Sequence, residues 1–332
     1  MAEGPAAPLT LFMRRLTIVA ILLCAVPGLS AQSGWTVRSA PAVEFWYHAM
    51  AIVGMEGFGA LPLYDPGYAG AVRADREARG LGPTALERQA PVLRAAFEAD
   101  STFELLHFLP LYASTTTPEQ LLTANAPGLA ASVLRTREQR ALFDRFLTAA
   151  RNDLEAAWNG ERRTRAASQN AMLAAVERRW ADAIAPAIGG HLQRYGLTSG
   201  VIVPVPGLGT DGRFLAGSSQ APALVAVQLP RDPTHAEDAA FFAVRELCYP
   251  AVRRALATLD LPSADRVAAE ALSGRAAVRC GAQLLDQADS ALGAAYRGAF
   301  LRAAGARGSF EATYPVGDRV LAALRDAVRG AL

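Results

Sequence analysis

The feature that most constrains this fold is a ten-residue run, 241–250, that is apolar on nearly every side of a helix. A helix of this kind lies inside a domain, because only a buried position offers apolar neighbours on every face. The run nevertheless contains Arg245 and Glu246, with Tyr249 one helical turn after the arginine. Burying these charges is costly unless each one finds a partner. The sequence therefore predicts a second polar group that meets this helix in the core.

The chain as a whole can supply such a core. It has 332 residues, of which 52% are hydrophobic and 19% charged, and this balance excludes global disorder. The formal net charge of +2 is too small to indicate a nucleic-acid partner. All 33 basic residues are arginine, which in so alanine-rich a chain indicates a compositional bias. A single arginine is therefore weak evidence for function.

The N-terminus, residues 1–31, is typical of a secretory signal peptide. Two arginines follow Met13, which is an alternative start, and the apolar run 16–26 has the length of a signal-peptide core. Small residues surround a cleavage position near Ala31. A retained membrane anchor is the alternative interpretation. We expect an exported protein, periplasmic or extracellular, that has no membrane attachment after cleavage.

Cleavage would leave two cysteines, Cys248 and Cys280. An oxidising compartment permits a disulfide between them. Both lie in apolar helical segments, so we expect buried free thiols instead.

Helical periodicity covers most of the chain, and β-branched runs occur in one place. The N-terminal part, 40–195, reads as helical throughout. The strand-like runs 201–205 and 223–228 follow, and helical patterns then continue to the C-terminal end. This order predicts an α+β fold that is mostly helical, with a small β-sheet packed beside the helix of 241–250. We expect two parts, 40–195 and 196–332.

Four other polar residues have a simple structural interpretation. Asp211 and Asp232 lie in turn-forming segments and are interpreted as turn formers. Glu44 and His48, one helical turn apart, could line a cleft, although a surface or core pair is the simpler interpretation.

The segment from Arg245 to Tyr249 has the sequence R-E-L-C-Y, which is the frame H-E-x-x-H with both histidines replaced. In H-E-x-x-H, the two histidines project from one helical face and bind zinc, and the glutamate acts on a zinc-bound water. A further ligand comes from downstream. Here Glu270 follows Tyr249 after 20 intervening residues, in another apolar helical segment.

With these features the chain resembles the gluzincin-like metallopeptidases, and in particular an uncharacterised family of exported proteins within that group. The similarity extends over about residues 40–330. It includes the aromatic run 43–50 in the helical half, the strand pair before the motif, and a Glu-x-x-x-x-Arg run at Glu270 and Arg275.

The resemblance implies a zincin-like fold for 196–332. It places Glu246 at the catalytic general-base position, and Arg245, Tyr249 and Glu270 at the positions of the zinc ligands. It also implies zinc as the cofactor of the family.

The residues at those positions argue against zinc in this chain. Arg245 cannot lose its proton near neutral pH and would repel a cation, and tyrosine is not a usual zinc ligand. None of the histidines (His48, His107, His191 and His235) pairs with another at metal-ligand spacing. We therefore predict no metal and no cofactor. Instead, the Arg245 guanidinium would lie between Glu246 and Glu270, with the Tyr249 hydroxyl in the same network.

The predicted function is that of an inactive, metallopeptidase-like protein with a binding role for a peptide or a protein. One alternative is an active zinc-dependent hydrolase that uses Glu246 and ligands outside the motif. Another is a helical interaction protein unrelated to zincins, in which Arg245 belongs to an accidental pattern and reaches solvent. Neither the partner nor the oligomeric state follows from the sequence.

Overall fold

The computed structural model describes residues 34–56, 61–113, 115–217, 222–261 and 266–329. The predicted signal peptide, 1–31, lies outside the described residues. Within these ranges, no helix combines the length and the apolar character that a membrane crossing requires. The fold is mostly helical with a four-stranded sheet, so the predicted α+β class is confirmed.

The sheet has the strand order β1-β2-β4-β3. Its strands are β1 (Gly34–Val37), β2 (Ser199–Val205), β3 (Arg213–Leu215) and β4 (Ala223–Gln228). Strands β1, β2 and β4 are parallel, and only β3 is antiparallel to its neighbour. The runs predicted as strands are β2 and β4, whereas β1 falls in a segment to which no element was assigned. Because β2 and β4 are parallel, the turn after β2 does not form a hairpin between them, and β3, which lies between them in the sequence, pairs antiparallel with β4.

Both faces of the sheet are buried. Along β2, Val201 and Val203 belong to one apolar cluster, whereas Ile202 belongs to the other. Strand β4 alternates in the same way, with Leu224 on the first face and Val225 on the second. This explains why both strands read as continuous apolar runs, as is usual for parallel strands covered on two sides.

The first face is covered by the chain up to Trp158. Its helices are α1 (Pro41–Val53), α2 (Tyr68–Ala78), α3 (Ala85–Glu98), α4 (Ala126–Val133) and α5 (Arg137–Asp153), with 3₁₀ turns at Ser101–His107 and Leu109–Ala113. Helix α1 is the central element, since every residue from 42 to 53 is buried. Helix α3 begins with a capping box, in which Thr84 and Glu87 satisfy each other's backbone N–H groups.

The second face is covered by later helices. These are α6 (Asn159–Arg179), α7 (Ala185–Arg194), α8 (Asp238–Leu247), α9 (Tyr249–Ala257), α10 (Arg266–Ala288), α11 (Ser290–Ala303) and α12 (Asp318–Val328). The two apolar clusters meet at the sheet. The division into 40–195 and 196–332 stays a prediction.

Helices α5, α6 and α7 follow one another without a loop. The π-helical turns Leu154–Trp158 and Trp180–Ile184 join them. Asn159 and Gly160 do not end the helix, because Asn159 keeps right-handed helical angles and the hydrogen-bonded ladder continues through the π turn. The helix ends only after Arg194, where Gly196 has a φ of +68°.

The helix predicted around 241–250 is two helices. Pro250 has no backbone N–H to continue the ladder, so α8 ends at Leu247 and α9 begins at Tyr249. Every residue of α8 is buried, and the helix packs on β4, α10 and α11. The expectation of a buried helix beside a small sheet is confirmed.

Candidate functional site

The Arg245 side chain lies inside the protein, with an exposed fraction of 0%. Its Nη2 atom is 2.5 Å from Asp211 Oδ1, and its Nη1 atom donates a hydrogen bond to Glu246 Oε1. The interpretation in which this arginine reaches solvent is therefore excluded. The predicted pairing of Arg245 with Glu246 is present, and the Asp211 carboxylate also contacts the guanidinium.

Asp211 connects two arginines. Its Oδ2 atom is 2.8 Å from Arg213 Nη1, so the carboxylate bridges Arg213 and Arg245. The four residues Asp211, Arg213, Arg245 and Glu246 are called the arginine–carboxylate centre below. Its members come from the turn between β2 and β3, from the start of β3 and from α8.

Gly212 holds the turn against α8. Its N–H donates to Glu246 Oε1 over 3.1 Å. A Cβ atom at this position would lie 2.6 Å from the Ala226 carbonyl oxygen and 2.9 Å from Glu246 Cδ. Only glycine therefore allows the turn to approach both β4 and the glutamate so closely.

The two carboxyl groups of the centre titrate in opposite directions. Burial would raise the pKa of Asp211, but Arg245 and Arg213 together hold it below its usual range. Burial raises the pKa of Glu246 above its usual range, and Arg245 offsets this only in part, because Asp211 acts in the same direction as burial. Asp211 is thus the firmly ionised partner of the arginines, and Glu246 is the group that takes up a proton first.

Tyr249 contacts the centre through its ring. The Arg245 guanidinium lies 5.0 Å from the ring centroid, within the range of a cation–π interaction. Burial raises the pKa of the Tyr249 hydroxyl, so this side chain stays neutral. The predicted role of its hydroxyl in the network stays a prediction.

Helix α10 carries Glu270 and also reaches the centre. Glu270 is half-buried near the start of the helix. One turn later, a Cβ atom on Gly274 would lie 3.4 Å from Arg245 Nη2, so α10 passes directly against the guanidinium. Glu270 is therefore on a helix that passes close to Arg245, while its own contact with Arg245 stays a prediction.

Two buried tyrosines, Tyr47 and Tyr64, and the buried His107 lie near Arg213. Tyr47 donates a hydrogen bond to the His107 carbonyl oxygen over 2.8 Å, and the Tyr64 hydroxyl is 2.8 Å from His107 Nδ1. Burial, together with the positive charge of Arg213, lowers the pKa of His107 to about 3. This imidazole is therefore neutral at physiological pH.

We expect the burial of neutral His107 to make the protein less stable in acid. Its pKa is about 3 in the folded state and about 6.5 in the unfolded chain, so the unfolded state binds the extra proton as pH falls below 6.5. Above pH 6.5 both states hold His107 neutral, and its burial leaves the free energy of unfolding independent of pH. Between pH 6.5 and pH 3 the free energy of unfolding decreases as pH falls. Between pH 7 and pH 4 this amounts to about 3 kcal/mol. Urea unfolding at a series of pH values measures the loss.

The variant His107→Asn is the control for this pH dependence, because an amide retains a polar partner for Tyr64 and does not titrate. Its stability should change less between pH 7 and pH 4 than that of the wild type. Identical pH profiles would show that His107 does not set the acid sensitivity.

A second buried cluster surrounds Arg76 on the first side of the sheet. The Arg76 guanidinium contacts three carboxylates, at 2.8 Å from Glu87, 2.8 Å from Asp153 and 2.7 Å from Glu161. His48 Nε2 lies 2.8 Å from the other oxygen of Asp153. These five residues are called the Arg76 cluster. They show that His48 is a core residue with satisfied partners, which is the simpler of the two interpretations.

No arrangement of three or more histidine, cysteine, aspartate or glutamate side chains able to hold a metal ion occurs among the described residues. Comparisons with protein-family models, with curated proteins and with solved structures find no match to this chain. The functional interpretation therefore rests on the sequence pattern and on the geometry of the arginine–carboxylate centre.

Proposed function

We propose that this chain is an exported, metallopeptidase-like protein without zinc chemistry, whose role is to bind a peptide or a protein partner. One observation supports this most directly. The guanidinium of Arg245, at the position of the first zinc-binding histidine, is fully buried and contacts the carboxylates of Asp211 and Glu246. In this proposal the permanent cation of Arg245 takes the role that a divalent metal has in the zincin pattern.

The net charge of the arginine–carboxylate centre supports the proposal that Arg245 replaces a metal ion. Two arginines, Arg213 and Arg245, face the two acids Asp211 and Glu246, so the four side chains are neutral in sum when both acids are ionised. A zinc ion added to this group would meet two guanidiniums that cannot deprotonate. It would also have to displace charge-assisted hydrogen bonds that are already formed.

The state of Glu246 also supports a non-catalytic role. A general base must reach a water or a substrate within hydrogen-bonding distance. Glu246 is 1% exposed, and one oxygen of its carboxylate already accepts from Gly212 and Arg245. Its raised pKa is what a base requires, and it is the one observation in favour of the hydrolase alternative.

The edge of the sheet supports the binding role. β3 is one of the two edge strands of the sheet, and it begins at Arg213, inside the arginine–carboxylate centre. Exposed sheet edges bind extended peptides by adding a strand. In this proposal the centre fixes the start of β3, and β3 presents its outer edge to the partner.

Introducing histidine at positions 245 and 249 tests whether the scaffold can form a zincin-like metal site. We expect the variant Arg245→His/Tyr249→His to bind one zinc ion per chain, because it recreates the two-histidine face beside Glu270. The variant Arg245→Gln/Tyr249→Phe is the matched control, since it removes the same charge and hydroxyl without adding a ligand. Elemental analysis after dialysis against zinc measures the stoichiometry, and circular dichroism shows that each protein is folded.

Two outcomes would contradict the proposal. Stoichiometric zinc in the wild type, with cleavage of a denatured protein substrate, would establish the hydrolase alternative. A folded double-histidine variant that binds no more zinc than its control would show that 245, 249 and 270 do not form a zincin-like site.

A further inference from the structure

A small cavity lies against the Arg76 cluster, on the first side of the sheet. It has a volume of about 230 Å³ and is lined by α2, by the segment 81–83 and by the start of α3. Pockets for drug-sized ligands measure about 300–1,000 Å³, so this cavity suits a smaller molecule. At about 30 Å³ for each water molecule, its space corresponds to roughly eight waters, which is the size of a small metabolite such as an amino acid.

The buried part of the cavity, called its floor, offers a carboxylate oxygen. Glu87 lines the cavity with a side chain that is only 4% exposed. Its Oε2 atom accepts from Arg76 Nη1 and from the Thr84 N–H, each over 2.8 Å. Both contacts use the same oxygen, so Oε1 remains to accept from a ligand. Because Arg76 also pairs with Asp153 and Glu161, it does not balance the charge of Glu87 alone, and the floor therefore favours a cationic donor.

The exposed part of the cavity, called its rim, has the opposite character. Arg73 of α2 and Arg88 of α3 both line the cavity, and both side chains are exposed. Arg88 donates through Nη1 to the Pro83 carbonyl oxygen, whereas Arg73 forms no ion pair with the described residues. A guanidinium binds a carboxylate through two parallel hydrogen bonds. Leu81, which is 39% exposed, also lines the cavity, so the rim suits a carboxylate with an apolar group beside it.

We propose that this cavity binds a free α-amino acid with an apolar side chain. The ammonium group donates to Glu87 Oε1 on the floor, the carboxylate pairs with Arg73 and Arg88 on the rim, and Leu81 contacts the apolar side chain. Charge complementarity selects a zwitterion, because a simple anion would meet Glu87 and the exposed Glu77, and a simple cation would meet the two arginines. This inference is independent of the proposed function, since no residue of the arginine–carboxylate centre lines the cavity.

Titration calorimetry on the full chain tests the ligand, with L-leucine as the probe. Two analogues each lack one of its charged groups: L-leucinamide has no carboxylate, and 4-methylpentanoate has no ammonium group. We expect L-leucine to bind at one site per chain and each analogue to bind more weakly by about tenfold or more, because each one loses a charge-assisted interaction. L-leucine should also raise the thermal midpoint of the protein, since it binds only the folded state.

Variants at the rim test the position of the carboxylate. We expect Arg73→Gln and Arg88→Gln each to weaken L-leucine binding by about tenfold or more, because glutamine offers no charged partner. The matched control is Arg145→Gln, which changes an exposed arginine of α5 outside the cavity and should leave the affinity unchanged. Urea unfolding of each variant shows that the folded state is retained, since all three arginines are exposed.

Three results would overturn the proposal. The first is the absence of saturable L-leucine binding to the wild type. The second is 4-methylpentanoate or L-leucinamide binding as tightly as L-leucine, because the cavity would then recognise a simple anion or a simple cation. The third is wild-type affinity in both rim variants, which would place the amino acid elsewhere on the protein.

Discussion

Replacing Arg245 by methionine is expected to destabilise the protein by about 3–5 kcal/mol, which is the usual effect of breaking a buried ion pair by removing one partner. Methionine fills much of the volume of the arginine stem but leaves Asp211 and Glu246 without their shared cation. Both carboxylates are nearly inaccessible to water, with exposed fractions of 4% and 1%. Urea unfolding at pH 7 measures the change. The matched control is Arg253→Met, which removes an exposed arginine from the neighbouring helix α9 and should cost less than about 0.5 kcal/mol.

A combined variant separates charge from packing. Adding Glu246→Gln to Arg245→Met removes the carboxylate that has lost its cation, while Asp211 keeps its ion pair with Arg213, so most of the lost stability should return. If this double variant is as unstable as Arg245→Met alone, packing and not charge explains the role of this arginine. If Arg245→Met is as stable as the Arg253→Met control, Arg245 has no structural importance as a buried cation.

The sequence alone predicted the environment of Arg245 and Glu246 because that prediction depends on local composition. Apolar residues on all sides of a helix leave no solvent-facing position, so the charged side chains had to be buried. The strands β2 and β4 were predicted for a related reason, since continuous β-branched runs have few alternatives to a buried sheet. Local patterns of this kind are visible in any short window of the chain.

The contact between Arg245 and Asp211 was not predictable from local composition. Asp211 lies 34 residues before Arg245 in a glycine-rich turn, and turns favour aspartate for local reasons. Nothing in its neighbourhood indicates that the turn folds back onto α8. A usable hint was the succession of Asp211, Gly212 and Arg213 in the turn that follows a buried strand, because an acid and a base there would both lie near one end of the sheet. His107 was missed for a similar reason, since its 3₁₀ turn contacts the centre only in the folded protein.

The partners of Arg76 were also not predictable from the sequence, because they come from three different helices. Arg76 lies on α2 at helical spacing from the buried Tyr68 and Val72, which distinguishes it from the exposed Arg73. The sequence does not indicate which acids it meets. Its three acids come from α3, α5 and α6. The chain assembles these charges only when α2 packs across the junction of α5 and α6, at the π turn Leu154–Trp158.

We expect Arg76→Met to be about as destabilising as Arg245→Met, by about 3–5 kcal/mol at pH 7. The variant leaves Glu87, Asp153 and Glu161 close together without their shared cation, and all three are buried. The control is Arg73→Met, one turn earlier on the exposed side of α2, which should be nearly neutral.

The difference in the free energy of unfolding between the wild type and Arg76→Met should depend on pH if the charge of Arg76 is its cause. Burial would raise the pKa of Asp153, but His48 and Arg76 hold it well below its usual range. Stability from a carboxyl with a lowered pKa is present above its unfolded pKa of about 3.9 and is lost as pH falls below that value. Without Arg76, Asp153 and Glu161 should bind protons at higher pH, so Arg76→Met should lose less additional stability on acidification than the wild type. The gap between the two proteins should therefore narrow from pH 7 to pH 3.5 in urea unfolding. A gap that stays constant over this range would show that Arg76 stabilises the core through the packing of its stem and not through its charge.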